Sequence, residues 1–269
     1  MTDFLTTAAA LAREAGALLR SGYGQALEIT HKGTIDLVTQ YDKGSEAILL
    51  GGLRAAFPNH TFNAEESGHT AGDDYAWFID PLDGTTNFAH GFPVFAVSLA
   101  LAHRGRLIAG VVYDPLRDEL FTAEAGQGAQ CNGAPLRVSA VTALDQALRC
   151  TGFPYDVRTN PQNNLAEFAH LQLHSQGVRR PGSAALDLAW LAAGKVDGYW
   201  EYCMNAWDVG AGALLVREAG GRVTTFAGND DFLHAPTIAA TNGHLHVPLL
   251  AALAQAAPVA ADGASPKRM

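Results

Sequence analysis

Apolar residues near the start of the chain recur at helical intervals. Phe4, Leu5, Ala8, Leu11, Ala12, Ala15, Leu18 and Leu19 fall on one face, which predicts an amphipathic helix ending near Ser21-Gly22. A second helix is expected from about Gly44 to Ala56, stopping ahead of Pro58. The pattern then shortens. Trp77-Phe78-Ile79 is an apolar run ending in Asp80-Pro81, read as a strand entering a loop. Val94–Ala102 and Leu107–Val112, separated by His103-Arg104-Gly105-Arg106, predict an antiparallel hairpin. Glu119–Ala123 and Gly128–Cys131, followed by the turn Asn132-Gly133, continue the meander.

The second half alternates strands and helices, which points to α/β layering. Ala147–Thr151 reads as a strand and Asn163–His174 as a helix, followed by a basic loop, Arg179-Arg180-Pro181-Gly182. Ala184–Ala193 is a predicted helix with Gly194 as its C-terminal stop. Val196–Trp200 is a strand, Val209–Ala219 a helix ended by Gly220-Gly221, and Arg222–Phe226 a further strand.

Composition narrows the function classes. The chain has 269 residues, 48% of them hydrophobic and 17% charged, with a net charge of −9. That describes a folded protein with no bulk attraction to nucleic acid or an anionic membrane. Cys131, Cys150 and Cys203 are odd in number and widely spaced, so a reducing, cytoplasmic setting is expected, with no disulfide framework. Met1–Arg20 carries Asp3, Arg13 and Glu14 among its apolar residues and does not read as a signal peptide. No run approaches the roughly 18 apolar residues of a membrane span. The three cysteines, together with Trp190, Trp200 and Trp207, are expected in the core, and His244 and His246 at the surface.

The chemistry concentrates in residues 77–88. An apolar strand delivers Asp80 and Asp83, Gly84 allows a tight backbone, and Thr85 and Thr86 follow. A short helix starting here would aim free backbone N–H groups at an anion beside the acids. Carboxylates and N–H donors in one place suit a metal-bridged phosphate, and hard oxygen ligands select magnesium or a similar ion. Glu65-Glu66 after Phe62-Asn63-Ala64, Asp208 after Trp207, and Asp36 and Asp42 around Leu37-Val38-Thr39, with Lys32 upstream, are further acidic points. Each has a plain reading of its own. Asp208 suits a helix N-cap, Glu65-Glu66 an exposed pair, and Asp36 and Asp42 solvated loop or helix-start acids. Arg179-Arg180 suits either a solvated loop or a role in phosphate attraction or at a subunit interface.

Asp80-Pro81-Leu82-Asp83-Gly84-Thr85-Thr86-Asn87 resembles the first signature of the inositol monophosphatase family. Trp207-Asp208-Val209-Gly210-Ala211-Gly212 resembles the second, followed by Arg217-Glu218-Ala219-Gly220-Gly221. Asp36-Leu37-Val38-Thr39 with Asp42, and Ala64-Glu65-Glu66-Ser67, match that family in order and spacing, and the resemblance runs from about residue 5 to 250.

The resemblance implies an αβαβα sandwich and a magnesium-dependent phosphate monoesterase. Two or three Mg2+ ions would be bound, with Mn2+ as a substitute and Li+ as an inhibitor. Glu65, Asp80 and the Leu82 carbonyl would hold the activating ion. Asp80, Asp83 and Asp208 would hold a second, and Glu65 would also serve a third. Thr85, supported by Asp42, would position or deprotonate the attacking water. The N–H groups of Gly84 and Thr85, with Thr86 beside them, would bind phosphate. Ser183, Ala184 and Glu201 fall where the family contacts substrate hydroxyls. A homodimer, a small phosphate ester as ligand, and no membrane or nucleic-acid partner complete the picture.

The implied division is an α+β half over 1–146 with an antiparallel sheet and most metal ligands, an α/β half over 147–257 with the substrate loops and Asp208, and a flexible tail over 258–269. One stretch departs from the family pattern: Tyr202-Cys203-Met204-Asn205-Ala206 places Asn205 and Ala206 where many relatives carry His or Lys and Pro or Cys. Thr151-Gly152-Phe153-Pro154-Tyr155 resembles bacterial members. The expected substrate is inositol 1-phosphate. Fructose 1,6-bisphosphate, 3′-phosphoadenosine 5′-phosphate, NADP and histidinol phosphate are alternatives within the superfamily, and a non-catalytic regulatory member is the rival from another class.

Overall fold

The amphipathic opening segment forms α1 (Asp3–Gly22) in the computed structural model, which describes residues 3–31 and 37–256. The expectations for Lys32, Asp36 and the tail over 258–269 lie outside the described residues. A two-stranded antiparallel ribbon, β1 (Ile29–His31) with β2 (Leu37–Thr39), leads into α2 (Gln40–Ala56). The second helix thus begins four residues before the expected Gly44, because Thr39 and Asp42 close a capping box around its first turn.

The next strands are β3 (Thr61–Ala64), β4 (Gly68–Thr70) and β5 (Tyr75–Asp83), then the short helix α3 (Thr85–Ala89). The meander follows as β6 (Ala96–His103), β7 (Arg106–Asp114), β8 (Glu119–Glu124), β9 (Gly128–Cys131) and β10 (Ala134–Pro135). These build an eight-stranded sheet in the order β10-β9-β8-β7-β6-β5-β3-β4, antiparallel except where β3 lies parallel to β5.

The remaining chain runs β11 (Leu148–Thr151), α4 (Leu165–Gln172), β12 (Gly177–Arg179), α5 (Ala184–Ala192), β13 (Gly198–Tyr202), α6 (Ala206–Glu218), β14 (Arg222–Thr224), β15 (Thr237–Thr241) and α7 (His246–Gln255). Its five strands form a mixed sheet ordered β12-β11-β13-β15-β14. The hydrophobic pattern missed β12, β15 and α7. Their apolar runs are short or alanine-rich, and α7 carries Pro248 in its first turn.

Three buried clusters sort these elements into five layers. α1 and α2 cover one face of the large sheet, with Leu19, Leu49, Leu53, Trp77 and Leu99 at the centre. α5 and α6 fill the space between the two sheets around Leu186, Leu188, Leu215 and Tyr199. α4 and α7 close the far face of the small sheet over Trp200 and Leu249. This is the αβαβα sandwich. The middle layer is tight, since a Cβ at Gly110 would lie 3.0 Å from the Ala211 carbonyl oxygen.

Several burial expectations change. His246 is buried, its ring between the Thr224 and Thr241 hydroxyls, whereas His244 is exposed as expected. Cys150 is a core residue, but Cys131 is half-buried and Cys203 exposed. Trp200 is core, while Trp190 and Trp207 keep part of their rings at the surface. Among the described residues no helix is long and apolar enough to cross a membrane.

Candidate active site

The loops at the ends of β3, β5, β11 and β13 meet the starts of α3, α5 and α6 around one cavity of about 330 Å3. Glu65, Asp80, Leu82, Asp83, Gly84, Thr85, Thr86, Ser183, Ala184, Glu201 and Asp208 all line it. Of the predicted site residues only Asp42 does not, and it stands directly behind Thr85.

How one strand presents both Asp80 and Asp83 follows from its register. Side chains alternate along a strand, so positions three apart would face opposite sides. Asp80 pairs with Ser98 and Asp83 with Ala96, so β5 carries one extra residue across this step. That bulge turns both carboxylates toward the cavity, and Pro81, which has no N–H to give a ladder, occupies it.

Each of these acids is held by protein donors on one oxygen. Asp80 Oδ1 accepts from the Leu82 amide at 3.0 Å. Asp83 Oδ2 accepts from Ser183 Oγ at 2.6 Å and from the Ala185 amide at 2.7 Å. Asp208 Oδ2 accepts from the Asn205 amide at 2.7 Å. The second oxygens of Asp80 and Asp208 accept no hydrogen bond among the described residues. Burial drives the Asp80 carboxyl well above the usual carboxylate range, and the charges of Glu65, Asp83 and Asp208 drive it further. Burial likewise raises Asp208 well above that range, against the pull of the Asn205 amide. Burial raises Asp83 to about 6, opposed by the bonds from Ser183 and the α5 amides.

These buried, mutually repelling oxygens fit a divalent cation. The donor set is all oxygen, with unpartnered lone pairs and no sulfur or imidazole. Among the described residues no three acidic, imidazole or thiolate side chains close around a single metal position. An open oxygen site of this kind suits magnesium, which keeps waters and shares substrate phosphate oxygens rather than filling its shell from the protein.

Beside the acids, Thr85 Oγ1 lies 2.9 Å from Asp42 Oδ1 and 3.0 Å from the Leu82 carbonyl oxygen. A hydroxyl has one proton, so it serves these two acceptors in turn and keeps lone pairs to accept from a water. Asp42 is fully buried, and its other oxygen takes both the Thr39 amide and the Thr39 hydroxyl, at 2.7 and 2.6 Å. Burial raises Asp42, and these hydrogen bonds hold it down. Gly84 supplies the turn into α3 at φ 97°, and a Cβ there would lie 2.9 Å from the Val94 carbonyl oxygen. The first amides of α3 have no helical acceptor and lie against the cavity.

Two local details add to the sequence reading. The N-cap of α6 is Asn205, and Asp208 is the third helical residue, reaching back to the Asn205 amide. The Ser183 hydroxyl is committed to Asp83, so it orients an acid at the start of α5. The sequence reading gave no role to Asn87 or Asp187. The Asn87 side-chain amide donates to the Val94 and Pro181 carbonyls, each at 2.8 Å, and clasps the two loops that frame the cavity. Asp187 lines the cavity floor from α5, and burial pushes it well above the carboxylate range. Its signal was legible, since it is the one acid in the apolar run Ala-Ala-Leu-Asp-Leu-Ala-Trp-Leu-Ala.

A layered sandwich with an acidic cavity at the ends of its strands defines the class, and the comparisons name it. The chain belongs to the inositol monophosphatase family, whose model matches residues 1–258. It is 45% identical over 255 residues to Nus factor SuhB of Escherichia coli K12, covering 93% of this chain and 96% of that protein. It is 46% identical over 253 residues to inositol-1-monophosphatase of Synechocystis, covering 93% and 88%. The inositol monophosphatase of Anabaena superposes with a TM-score of 0.87 at 47% identity, covering 95% of this chain and 97% of that one.

Proposed function

We propose that this protein is a magnesium-dependent phosphate monoesterase acting on inositol 1-phosphate or a closely similar polyol phosphate. The observation that carries the reading is the meeting of Glu65, Asp80, Asp83 and Asp208 with the Thr85–Asp42 pair in one cavity. When bound, magnesium would supply a water activated near neutral pH and charge stabilisation of the leaving oxygen. Glu65, Asp80, the Leu82 carbonyl, Asp83 and Asp208 are the groups that would share the bound ions, with water and substrate oxygens completing each shell.

The chain's own residues account for the rest. The amides of Gly84 and Thr85 bind phosphate oxygens. Thr85 Oγ1 accepts from the attacking water and fixes its direction, and Asp42 takes the Thr85 proton and keeps that oxygen turned to the cavity. Ser183 holds Asp83 in place. Glu201, on the opposite wall, accepts from a substrate hydroxyl. A cavity of about 330 Å3 supports a single-ring polyol phosphate over a dinucleotide such as NADP. The reading includes a homodimer. Three free thiols support a reducing, cytoplasmic setting.

Relatives of equal similarity carry the names Nus factor and inositol-1-monophosphatase, so a regulatory role without turnover is the second reading. Retention of every acid named above, with Thr85, favours the enzyme. Phosphate release tests it, with inositol 1-phosphate, fructose 1,6-bisphosphate, 3′-phosphoadenosine 5′-phosphate, NADP and histidinol phosphate compared with and without magnesium. Magnesium-dependent turnover ranked highest for inositol 1-phosphate is expected. A folded, magnesium-binding protein that turns over none of them would overturn the proposal.

A further inference from the structure

Strand β13 carries Tyr199 and Glu201 two residues apart, so both side chains leave the same face. That face looks into the layer between the sheets, where Tyr199 is fully buried, while Trp200 between them joins the core on the far side. The Tyr199 hydroxyl donates to Glu201 Oε2 at 2.5 Å, a short bond of the kind made to an ionised carboxylate. Glu201 Oε1 accepts no hydrogen bond among the described residues, and Glu201 lines the cavity. On its other side the carboxylate rests against the bare backbone of Gly152, where a Cβ would collide with both of its oxygens.

Glu201 also has acidic company. Asp187, on the neighbouring helix α5, is buried, and its Oδ1 has no hydrogen-bond partner among the described residues. Burial raises the Glu201 carboxyl to about 7 against the pull of the Tyr199 bond, and the charge of Asp83 raises it while that of Arg180 lowers it. The Tyr199 hydroxyl is the one hydrogen-bond donor to the Glu201 side chain among the described residues. It fixes which oxygen turns inward and which turns to the cavity.

We infer that Tyr199 is a positioning residue for substrate choice: through its bond to Oε2 it presents Glu201 Oε1 as the acceptor for a ring hydroxyl of the polyol, with Gly152 as the opposing wall of the clamp. Tyr199 does not line the cavity, and its hydroxyl acts through Glu201. This inference rests on the phosphatase reading above.

The test compares inositol 1-phosphate with phenyl phosphate, which offers the same phosphate and no hydroxyl, in Tyr199→Phe, Glu201→Gln, the double variant and Gly152→Ala. Tyr199→Phe is expected to lower the ratio of kcat/KM for inositol 1-phosphate over phenyl phosphate about tenfold or more, chiefly through KM. The double variant should be no worse than Glu201→Gln alone, because both changes remove one interaction. An equal loss on both substrates, or additive losses in the double variant, would overturn the inference. Should Tyr199→Phe melt below the assay temperature, Gly152→Ala decides, since it displaces the same carboxylate from the opposite side. A selective loss there supports the clamp, and an unselective one refutes it. A wild type that turns over neither substrate fails the phosphatase reading itself. Turnover of phenyl phosphate with no preference for inositol 1-phosphate fails only the role given to Glu201 and Tyr199.

Discussion

Asp83 should make the metal-free protein less stable than it would be without that charge. Burial holds its carboxyl at about 6 against an ordinary 3.8. The folded chain therefore binds this proton more tightly than the unfolded chain does. Its contribution to stability is complete below about pH 4 and is lost as the pH rises through 6. Once the group is ionised, the difference corresponds to a cost of about 3 kcal/mol. Asp83→Asn removes the charge and keeps an oxygen for the Ser183 and Ala185 donors. A change of 1 kcal/mol moves the melting midpoint of a chain this size by about 2–4 °C. At pH 8 with chelator, the variant should melt about 5 °C above wild type, with the neighbouring acids absorbing part of the full effect. At pH 5 the two should converge. Magnesium at about a hundred times its dissociation constant adds about 2.7 kcal/mol to a protein that binds it only when folded. Wild type should then melt above the variant, which lacks a ligand oxygen. Differential scanning calorimetry reads all three conditions. A metal-free variant that melts below wild type at pH 8, or a wild type whose midpoint does not fall between pH 5 and 8, would refute the account of Asp83 as a carboxyl raised by burial.

Asp42→Asn turns one of the two carboxylate oxygens into an NH2 group, so either the return bond of the α2 capping box or the bond from Thr85 is lost; stability should fall by about 1 kcal/mol and kcat for inositol 1-phosphate at least about tenfold, and denaturant melts and steady-state kinetics separate the two effects. Gly84→Ala meets both a positive φ and the Val94 carbonyl, and should lower stability by about 1–2 kcal/mol and abolish turnover, read by chemical denaturation and phosphate release. Exposed Cys203 should react with iodoacetamide in the native protein, while Cys150, buried and with its thiol pushed up by burial, should react only after unfolding; peptide mass spectrometry distinguishes them.

The strongly periodic parts of this chain were legible from its sequence. The opening helix, the β6–β7 hairpin and the β8–β9 meander fall where the hydrophobic spacing puts them. The two helix starts that were misplaced share a cause. In α2 and α6 a Thr or Asn caps the helix and an Asp three residues on reaches back to the cap amide. With Asp in place of Glu or Gln, this capping box reads as a loop with an isolated acid. Asp42 and Asp208 therefore stand at helix starts, as their plain readings had it, and at the site as well, although Asp42 is buried rather than solvated. The site's residue types were legible in the Asp-Pro-Leu-Asp-Gly-Thr-Thr segment, and the family resemblance supplied the rest of the set. What periodicity could not supply was the pairing across long sequence distances: Asp42 with Thr85, Asp83 with Ser183, Asn87 with Pro181. Asp42 meets Thr85 only once α2 packs on the large sheet, and the other two pairs exist only once the two sheets are stacked. The β5 bulge was equally hidden, because its register is set by Ser98 and Ala96 on the neighbouring strand.

The central claim is that the acids around Thr85 serve metal-dependent phosphate ester hydrolysis. The most direct measurement is phosphate release from inositol 1-phosphate by wild type and Asp83→Asn, with magnesium and with chelator. The account predicts turnover by wild type with magnesium, none with chelator, and a fall of at least a thousandfold in Asp83→Asn, about 4 kcal/mol of transition-state stabilisation. Turnover that survives either the chelator or the substitution would contradict it.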